Sequence, residues 1–220
     1  ASGGMLEAAV AAGVAVAGGE ALLGGVLPTP GVPLLIGRYG FDLGVVISAS
    51  HNPYRDNGIK FFGGDGFKLS DATELEIEQM LDAPAEPAHP GRVRRFHGSL
   101  DGYEAALEAR FASLDLSGQR LMLDCANGAT YEVAPAIFRR LGADVEVLAA
   151  DPDGLNINDG CGSTHVDVLA EAVRAGGHDA GFAFDGDGDR VLAVDRHGVV
   201  VDGDELIALA AVHLGVPGVA

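Results

Sequence analysis

Two short stretches hold residues whose types and spacing can do chemistry. Asp185-Gly186-Asp187-Gly188-Asp189-Arg190 sets a carboxylate at every second position, with glycines between that let the backbone curl around an ion. Oxygen ligands of this kind suit Mg²⁺ or Ca²⁺. A calcium-binding EF-hand loop opens in the same way, but it needs glycine at its sixth place and a bidentate glutamate at its twelfth. Counted from Asp185 those places hold Arg190 and Arg196, so the EF-hand reading fails. The competing reading is a solvated acidic turn. Three aligned carboxylates repel one another, which favours a bound cation. The second stretch is Ser48-Ala49-Ser50-His51-Asn52-Pro53, in which Ser50 is a candidate nucleophile. Acyl transfer is disfavoured: His51 is adjacent in sequence, which rarely lets its ring reach the serine oxygen, and no G-x-S-x-G elbow is present. Ser48 and Ser50 can also be plain cap or turn residues. Beside a Mg²⁺ loop, phosphoryl chemistry on Ser50 is the better reading, since a metal-neutralised phosphoserine needs no oxyanion hole.

Other residues carry weaker signals. Lys60 stands in an alternating segment with Phe62 on its face and Ile59 and Phe61 on the other. It reads as a snorkelling edge residue or, near a nucleophile, as a general acid/base or phosphate clamp. Asn156-Ile157-Asn158-Asp159-Gly160-Cys161-Gly162 is a polar, glycine-rich loop with no G-K-[ST], so it is not a P-loop and composition leaves it an ordinary turn. His51 and His165 adjoin these motifs. Arg92, Arg94 and Arg95 read as a solvated linker.

These stretches need elements to position them. Ser2 is placed to cap a helix running to about Ala17, stopped by Gly18-Gly19. A short strand follows at Glu20–Leu23. Leu27-Pro28-Thr29-Pro30 is a rigid turn that starts a helix through Ile36. Leu43–Ile47, short and wholly apolar, is a buried strand leading into Ser48–Pro53. Ile59–Phe62 and Phe67–Leu69 flank a glycine-rich turn as a hairpin. Ser70 caps a helix to Leu81. Further on, a helix is expected over Tyr103–Phe111, strands over Arg120–Asp124, Asp144–Ala149 and Ala180–Phe184, and helices over Glu132–Leu141 and Asp167–Ala175. Strands and helices alternating at this spacing predict a parallel sheet covered on both faces. Ligands of such sheets sit at the carboxyl ends of strands, where both opening stretches fall. A new unit, with a strand at Val199–Val201 and a helix from Asp204 to Leu214, closes the chain. The expected organisation is α/β: consecutive α/β/α lobes with mixed, mostly parallel sheets, one over 1–81, a linker over 82–100, a second over 101–198 and the start of a third over 199–220.

Composition narrows the partners. The 220 residues include 48% hydrophobic and 21% charged residues, as in a globular chain. A net charge of −18 leaves no basic face for nucleic acid or an anionic membrane. The apolar run Ala8–Gly19 is too short for a membrane helix and lacks a basic leader. Cys125 and Cys161, the two cysteines, make neither a zinc framework nor a disulfide scaffold, and suit a reducing cytoplasm. The absence of an initiator Met and the abrupt ends suggest a piece of something longer.

Taken in order, Ser48–Pro53, Asp56-Asn57-Gly58-Ile59-Lys60-Phe61 and Asp185–Arg190 resemble the α-D-phosphohexomutases, as do Leu27-Pro28-Thr29-Pro30-Gly31 and Asp202-Gly203-Asp204-Glu205. Within that family, Asn156–His165 is similar to the bacterial phosphoglucosamine mutase subgroup. The resemblance implies interconversion of glucosamine 6-phosphate and glucosamine 1-phosphate through a sugar 1,6-bisphosphate, on the route to UDP-N-acetylglucosamine. Phosphomannomutase or phosphoglucomutase activity is the alternative within the family, and a non-catalytic Mg²⁺-binding fragment the alternative outside it. By resemblance, Ser50 is the phosphoserine and Mg²⁺ is held by its phosphate with Asp185, Asp187 and Asp189. Lys60 is an acid/base, and His51 and Arg190 support the phosphoryl group. Family members have four domains and are roughly twice this length, so the loops that read the sugar and clamp its far phosphate are expected beyond this chain. Alone, it is expected not to be an effective mutase.

Overall fold

A computed structural model describes residues 2–81 and 89–216. Residues 82–88 of the expected linker, together with Ala1 and 217–220, lie outside the described residues. The chain divides into two compact units, one of residues 1–48 and 57–103, the other of 49–56 and 104–220.

The first unit holds α1 (Gly3–Val16), β1 (Glu20–Leu23), α2 (Gly31–Tyr39), β2 (Leu43–Ser48), β3 (Gly58–Gly63), α3 (Asp71–Met80), β4 (Arg92–Arg95) and the start of α4 (Ser99–Arg110). β2 pairs antiparallel with β3, Val46 opposite Lys60, and β1 pairs parallel with β4. Gly44 of β2 lets α2 lie against the strand: a Cβ there would meet Val32 Cγ1 at 2.6 Å and Ile36 Cδ1 at 2.7 Å. Leu35 and Ile36 of α2 and Val46 of β2 are buried, and Tyr39, Phe41 and Phe96 make an aromatic cluster. Ser70 caps α3 as expected, accepting the Thr73 N–H.

Two features of this unit differ from expectation. Ser2 makes no cap hydrogen bond; its Oγ accepts from Asn57 Nδ2 instead. The Arg92–Arg95 run is a strand and not a solvated linker. Its side chains are exposed, but its backbone pairs with β1, and Arg94 Nε lies 3.0 Å from Glu20 Oε1. Backbone pairing is blind to side-chain charge, so a basic run on a sheet edge reads as a linker. The Phe67–Leu69 arm does form the expected hairpin in short form: Gly63 N–H donates to the Phe67 carbonyl at 2.8 Å and Leu69 N–H to the Phe61 carbonyl at 3.2 Å, on either side of an antiparallel bridge between Phe62 and Lys68.

The second unit is a five-stranded sheet in the order β6-β5-β7-β8-β9: β5 (Arg120–Asp124), β6 (Asp144–Leu148), β7 (Ala180–Phe184), β8 (Val191–Asp195) and β9 (Val200–Val201). Helices α5 (Val133–Arg140), α6 (Val166–Gly176) and α7 (Gly203–Leu214) accompany it. Alternate residues of β5 feed two cores. Leu121, Leu123 and Cys125 pack with Ala134 of α5, while Met122 packs with Leu169 and Val173 of α6. The sheet is thus covered on both faces, as expected. It is not parallel throughout. β5 pairs parallel with β6 and β7, but β7–β8 and β8–β9 are antiparallel. The strand at Val191–Asp195 was not foreseen: it follows the aspartate loop directly, and a connection this short joins antiparallel neighbours. Among the described residues no helix is long and apolar enough to cross a membrane.

Candidate active site

β7 lies inside the sheet between β5 and β8, so the residue that follows it enters a dry environment. Asp185 and Asp187 are buried, and Asp189 is exposed. The loop closes on its own backbone: Gly188 N–H donates to the Asp185 carbonyl at 3.1 Å, and Arg190 N–H to Asp185 Oδ1 at 3.1 Å. Gly188, at φ 70°, supplies the left-handed turn. One oxygen from each of Asp185, Asp187 and Asp189 lies within 4.8 Å of the others. Burial first, and then the Asp187 charge, push the Asp185 carboxyl above the ordinary aspartate value, against hydrogen bonds from Arg190 N–H and Ser50. An all-carboxylate donor set, crowded and partly desolvated, is one that a hard cation relieves, so these residues could hold a metal ion.

The loop 49–56 connects β2 to β3 in the chain but belongs to the second unit. Ser50 Oγ donates to Asp185 Oδ2 at 2.9 Å. Ser50 sits at φ 52°, a left-handed conformation that costs a non-glycine residue about 1–2 kcal/mol. His51 Nδ1 comes to 3.5 Å from Ser50 Oγ, at the outer limit of a hydrogen bond. Neighbouring side chains diverge along an extended chain, which would keep that ring away from the serine oxygen. The left-handed turn at Ser50 brings them round to one side. Arg190 enters through its backbone; its guanidinium is exposed, with Nε 4.0 Å from Asp189 Oδ1. Ser50, His51, Arg190 and the three aspartates are therefore gathered within one unit. Lys60 belongs to the other unit, where it lies in β3 opposite Val46.

Residues 1–88 match the phosphoglucomutase/phosphomannomutase α/β/α domain I, and residues 101–198 match domain II of the same proteins. The chain belongs to this family, the α-D-phosphohexomutases. Among curated relatives, the phosphoglucosamine mutase of Pseudomonas aeruginosa strain LESB58 is 54% identical over 96% of this chain and 48% of its own length. The chain thus spans about half the length of the curated relatives it matches. A solved phosphoglucomutase/phosphomannomutase family protein from Burkholderia thailandensis is 27% identical, with a TM-score of 0.79 over 95% of this chain and 47% of its own. Aspergillus fumigatus N-acetylphosphoglucosamine mutase, solved with GlcNAc-6P and magnesium, shares the fold at 21% identity and a TM-score of 0.58, over 85% of this chain and 51% of its own.

In this phosphohexomutase chain, residues outside the recognised motifs brace the loops at the strand ends. Asp124, at the carboxyl end of β5, is fully buried and accepts Ala126 N–H at 2.9 Å on one oxygen and Gly162 N–H at 2.8 Å on the other. Burial raises its pKa, and the two N–H donors oppose that. A carboxylate ending a buried strand was the available signal. Asp124→Asn is expected to cost about 2 kcal/mol, because its NH₂ would face one of those N–H groups with no acceptor between them. A urea midpoint unchanged from the parent chain would count against this account. Gly128 and Gly186 mark places where backbones meet. A Cβ on Gly186 would stand 2.5 Å from the Ser50 carbonyl, and one on Gly128 would fall on the Gly186 backbone.

Proposed function

We propose that the chain is the phosphoryl-handling portion of a phosphoglucosamine mutase. The observation that carries this reading is Ser50 Oγ bonded at 2.9 Å to Asp185 in a trio of converging carboxylates. The 54% identity to a phosphoglucosamine mutase directs it to amino sugars. In the proposed cycle, phosphoserine 50 gives its phosphoryl group to the free hydroxyl of glucosamine 6-phosphate or glucosamine 1-phosphate. The bond from phosphorus to Ser50 Oγ breaks and one to the sugar oxygen forms, giving the 1,6-bisphosphate. The sugar hydroxyl loses its proton to a base, for which we propose Lys60. Return of the other phosphoryl group regenerates phosphoserine and releases the isomer. Asp185, Asp187 and Asp189 with the Ser50 phosphate would hold Mg²⁺, which supplies neutralisation of charge on the transferring group. His51 Nδ1, beside Ser50 Oγ, would hydrogen-bond the phosphoryl oxygens, and Arg190 would add positive charge nearby.

In this reading residues 1–81 and 101–198 are domains I and II, and 199–220 opens a third although β9 pairs with β8 of the second unit's sheet. The exposed Ile207, Leu209, Val212 and Leu214 of α7 suit an element that further chain covers. Cys125 and Cys161, both free and buried, suit a cytoplasmic protein.

Intact-mass spectrometry tests the proposal. The purified chain, or the chain incubated with sugar 1,6-bisphosphate and Mg²⁺, is expected to carry one phosphoryl group that Ser50→Ala lacks. A chain that is never charged would instead favour a non-catalytic metal-binding module. The two matched domains are those of phosphoglucomutases and phosphomannomutases, so discharge of the phosphoserine to glucosamine, glucose and mannose phosphates should be compared. Faster discharge to glucose or mannose phosphate would move the assignment to phosphoglucomutase or phosphomannomutase.

A further inference from the structure

We infer that Asn158 is a positioning residue for the Ser50 nucleophile, an inference that rests on the proposed phosphoserine reading. Its side-chain amide donates both N–H bonds to the serine loop: Nδ2 lies 2.7 Å from the Ser50 carbonyl and 2.9 Å from the Asn52 carbonyl. Two carbonyl acceptors fix the amide orientation, since the reversed amide would set oxygen against oxygen. The same Ser50 carbonyl accepts Gly186 N–H at 3.1 Å. Ser50 is thus gripped from two sides, by the loop after β6 and by the aspartate loop after β7.

The grip matters because Ser50 is strained. At φ 52° its backbone prefers to relax, and relaxation would swing Oγ away from Asp185. Two hydrogen bonds on its carbonyl and a third on that of Asn52 hold the loop in the strained form.

Asparagine suits position 158 on two independent grounds. Asn158 itself stands at φ 57°, which asparagine tolerates better than most side chains. It is also buried, so its reach to the two carbonyls is set by packing and not by chance encounter. Glycine would keep the backbone and lose the amide. Aspartate would keep the shape but offer no N–H, and would set a charge against two carbonyl oxygens. Behind Asn158 the support is rigid: its N–H donates to the Ala126 carbonyl at 2.9 Å, and Ala126 N–H donates to the buried Asp124. A line of bonds therefore runs from the end of β5 through Asn158 to the nucleophile.

The test compares wild type, Asn158→Gly and Asn158→Asp. With sugar 1,6-bisphosphate as phosphoryl donor, both variants are expected to charge Ser50 more slowly at saturating donor, on the order of tenfold to a hundredfold. The Mg²⁺-induced rise in Tm should persist in Asn158→Gly, whose carboxylates are untouched; a general collapse of the site would remove it. Amide exchange over residues 49–56 should quicken in both variants. Wild-type charging rates, or unchanged exchange in that loop, would overturn the assignment. A wild-type chain that takes no phosphate overturns the phosphoserine reading instead, and the exchange comparison still decides whether Asn158 holds the loop.

Discussion

Gly128→Ala is expected to lower the stability of the second unit by about 3 kcal/mol or more and to abolish the rise in Tm on adding Mg²⁺. The added Cβ would fall on the carbonyl oxygen, Cα and carbonyl carbon of Gly186. Overpacking a well-filled site typically costs about 1–3 kcal/mol when side chains can yield. Here the obstacle is backbone, and that backbone is committed: Gly186 accepts from Ala129 N–H at 2.8 Å and donates to the Ser50 carbonyl at 3.1 Å. The turn after β5 and the aspartate loop after β7 must separate, and the Ser50 to Asp185 bond is lost with them. Gly37→Ala is the matched comparison. Gly37 lies within α2 with nothing within 4 Å of a Cβ, so alanine there is expected to be neutral or stabilising by about 0.5–1 kcal/mol. Urea unfolding of both variants, with and without Mg²⁺, measures the contrast. Equal midpoints would mean that the two loops are not packed as described.

The second large effect is one of pH and metal. Asp185 has its pKa raised, first by burial and then by the Asp187 charge. An acid with a raised folded pKa binds more protons folded than unfolded, so its ionisation opposes folding. Without metal, stability is therefore expected to fall as pH rises from the ordinary aspartate value near 3.8 to the raised value, and to level off above it. A divalent cation that binds the folded trio reverses the penalty at neutral pH. At a hundred times its Kd it stabilises by about 2.7 kcal/mol, and the gain shrinks in acid as protons compete for the carboxylates. Asp187→Asn removes the repelling charge. The metal-free variant is expected to melt above the metal-free parent at pH 7 and to lose most of the Mg²⁺ response. Melting curves across pH, with EDTA or with Mg²⁺, check both. A metal-free parent that grows steadily more stable between pH 4 and 7 would contradict the sign.

The sequence by itself determined the chemistry on offer. Three alternating aspartates separated by glycines specify a loop of hard oxygen ligands, because spacing and ligand type are local properties. The strands before Ser50 and Asp185 were also legible, since a short apolar run bounded by polar turns has few other readings. The strand at Val191–Asp195 was equally apolar but followed the loop without a break, and only pairing with β7 distinguishes it from loop continuation. The Arg92–Arg95 strand was hidden because ladder hydrogen bonds leave no mark on side-chain polarity.

Tertiary structure alone decided how the nucleophile is held. Asn158 and Ser50 are separated by 108 positions, and Asp185 and Ser50 by 135. No local pattern announces a bond across such a distance. Gly128 and Gly186 are each required by a backbone of another loop lying where a Cβ would stand. The left-handed φ of Ser50 is likewise invisible in a serine codeword, being held by donors and an acceptor on the loops after β6 and β7. Residue types set which reaction this protein is equipped for, through ligand chemistry; the fold sets the aim of the serine, because aim depends on contacts between segments remote in the chain.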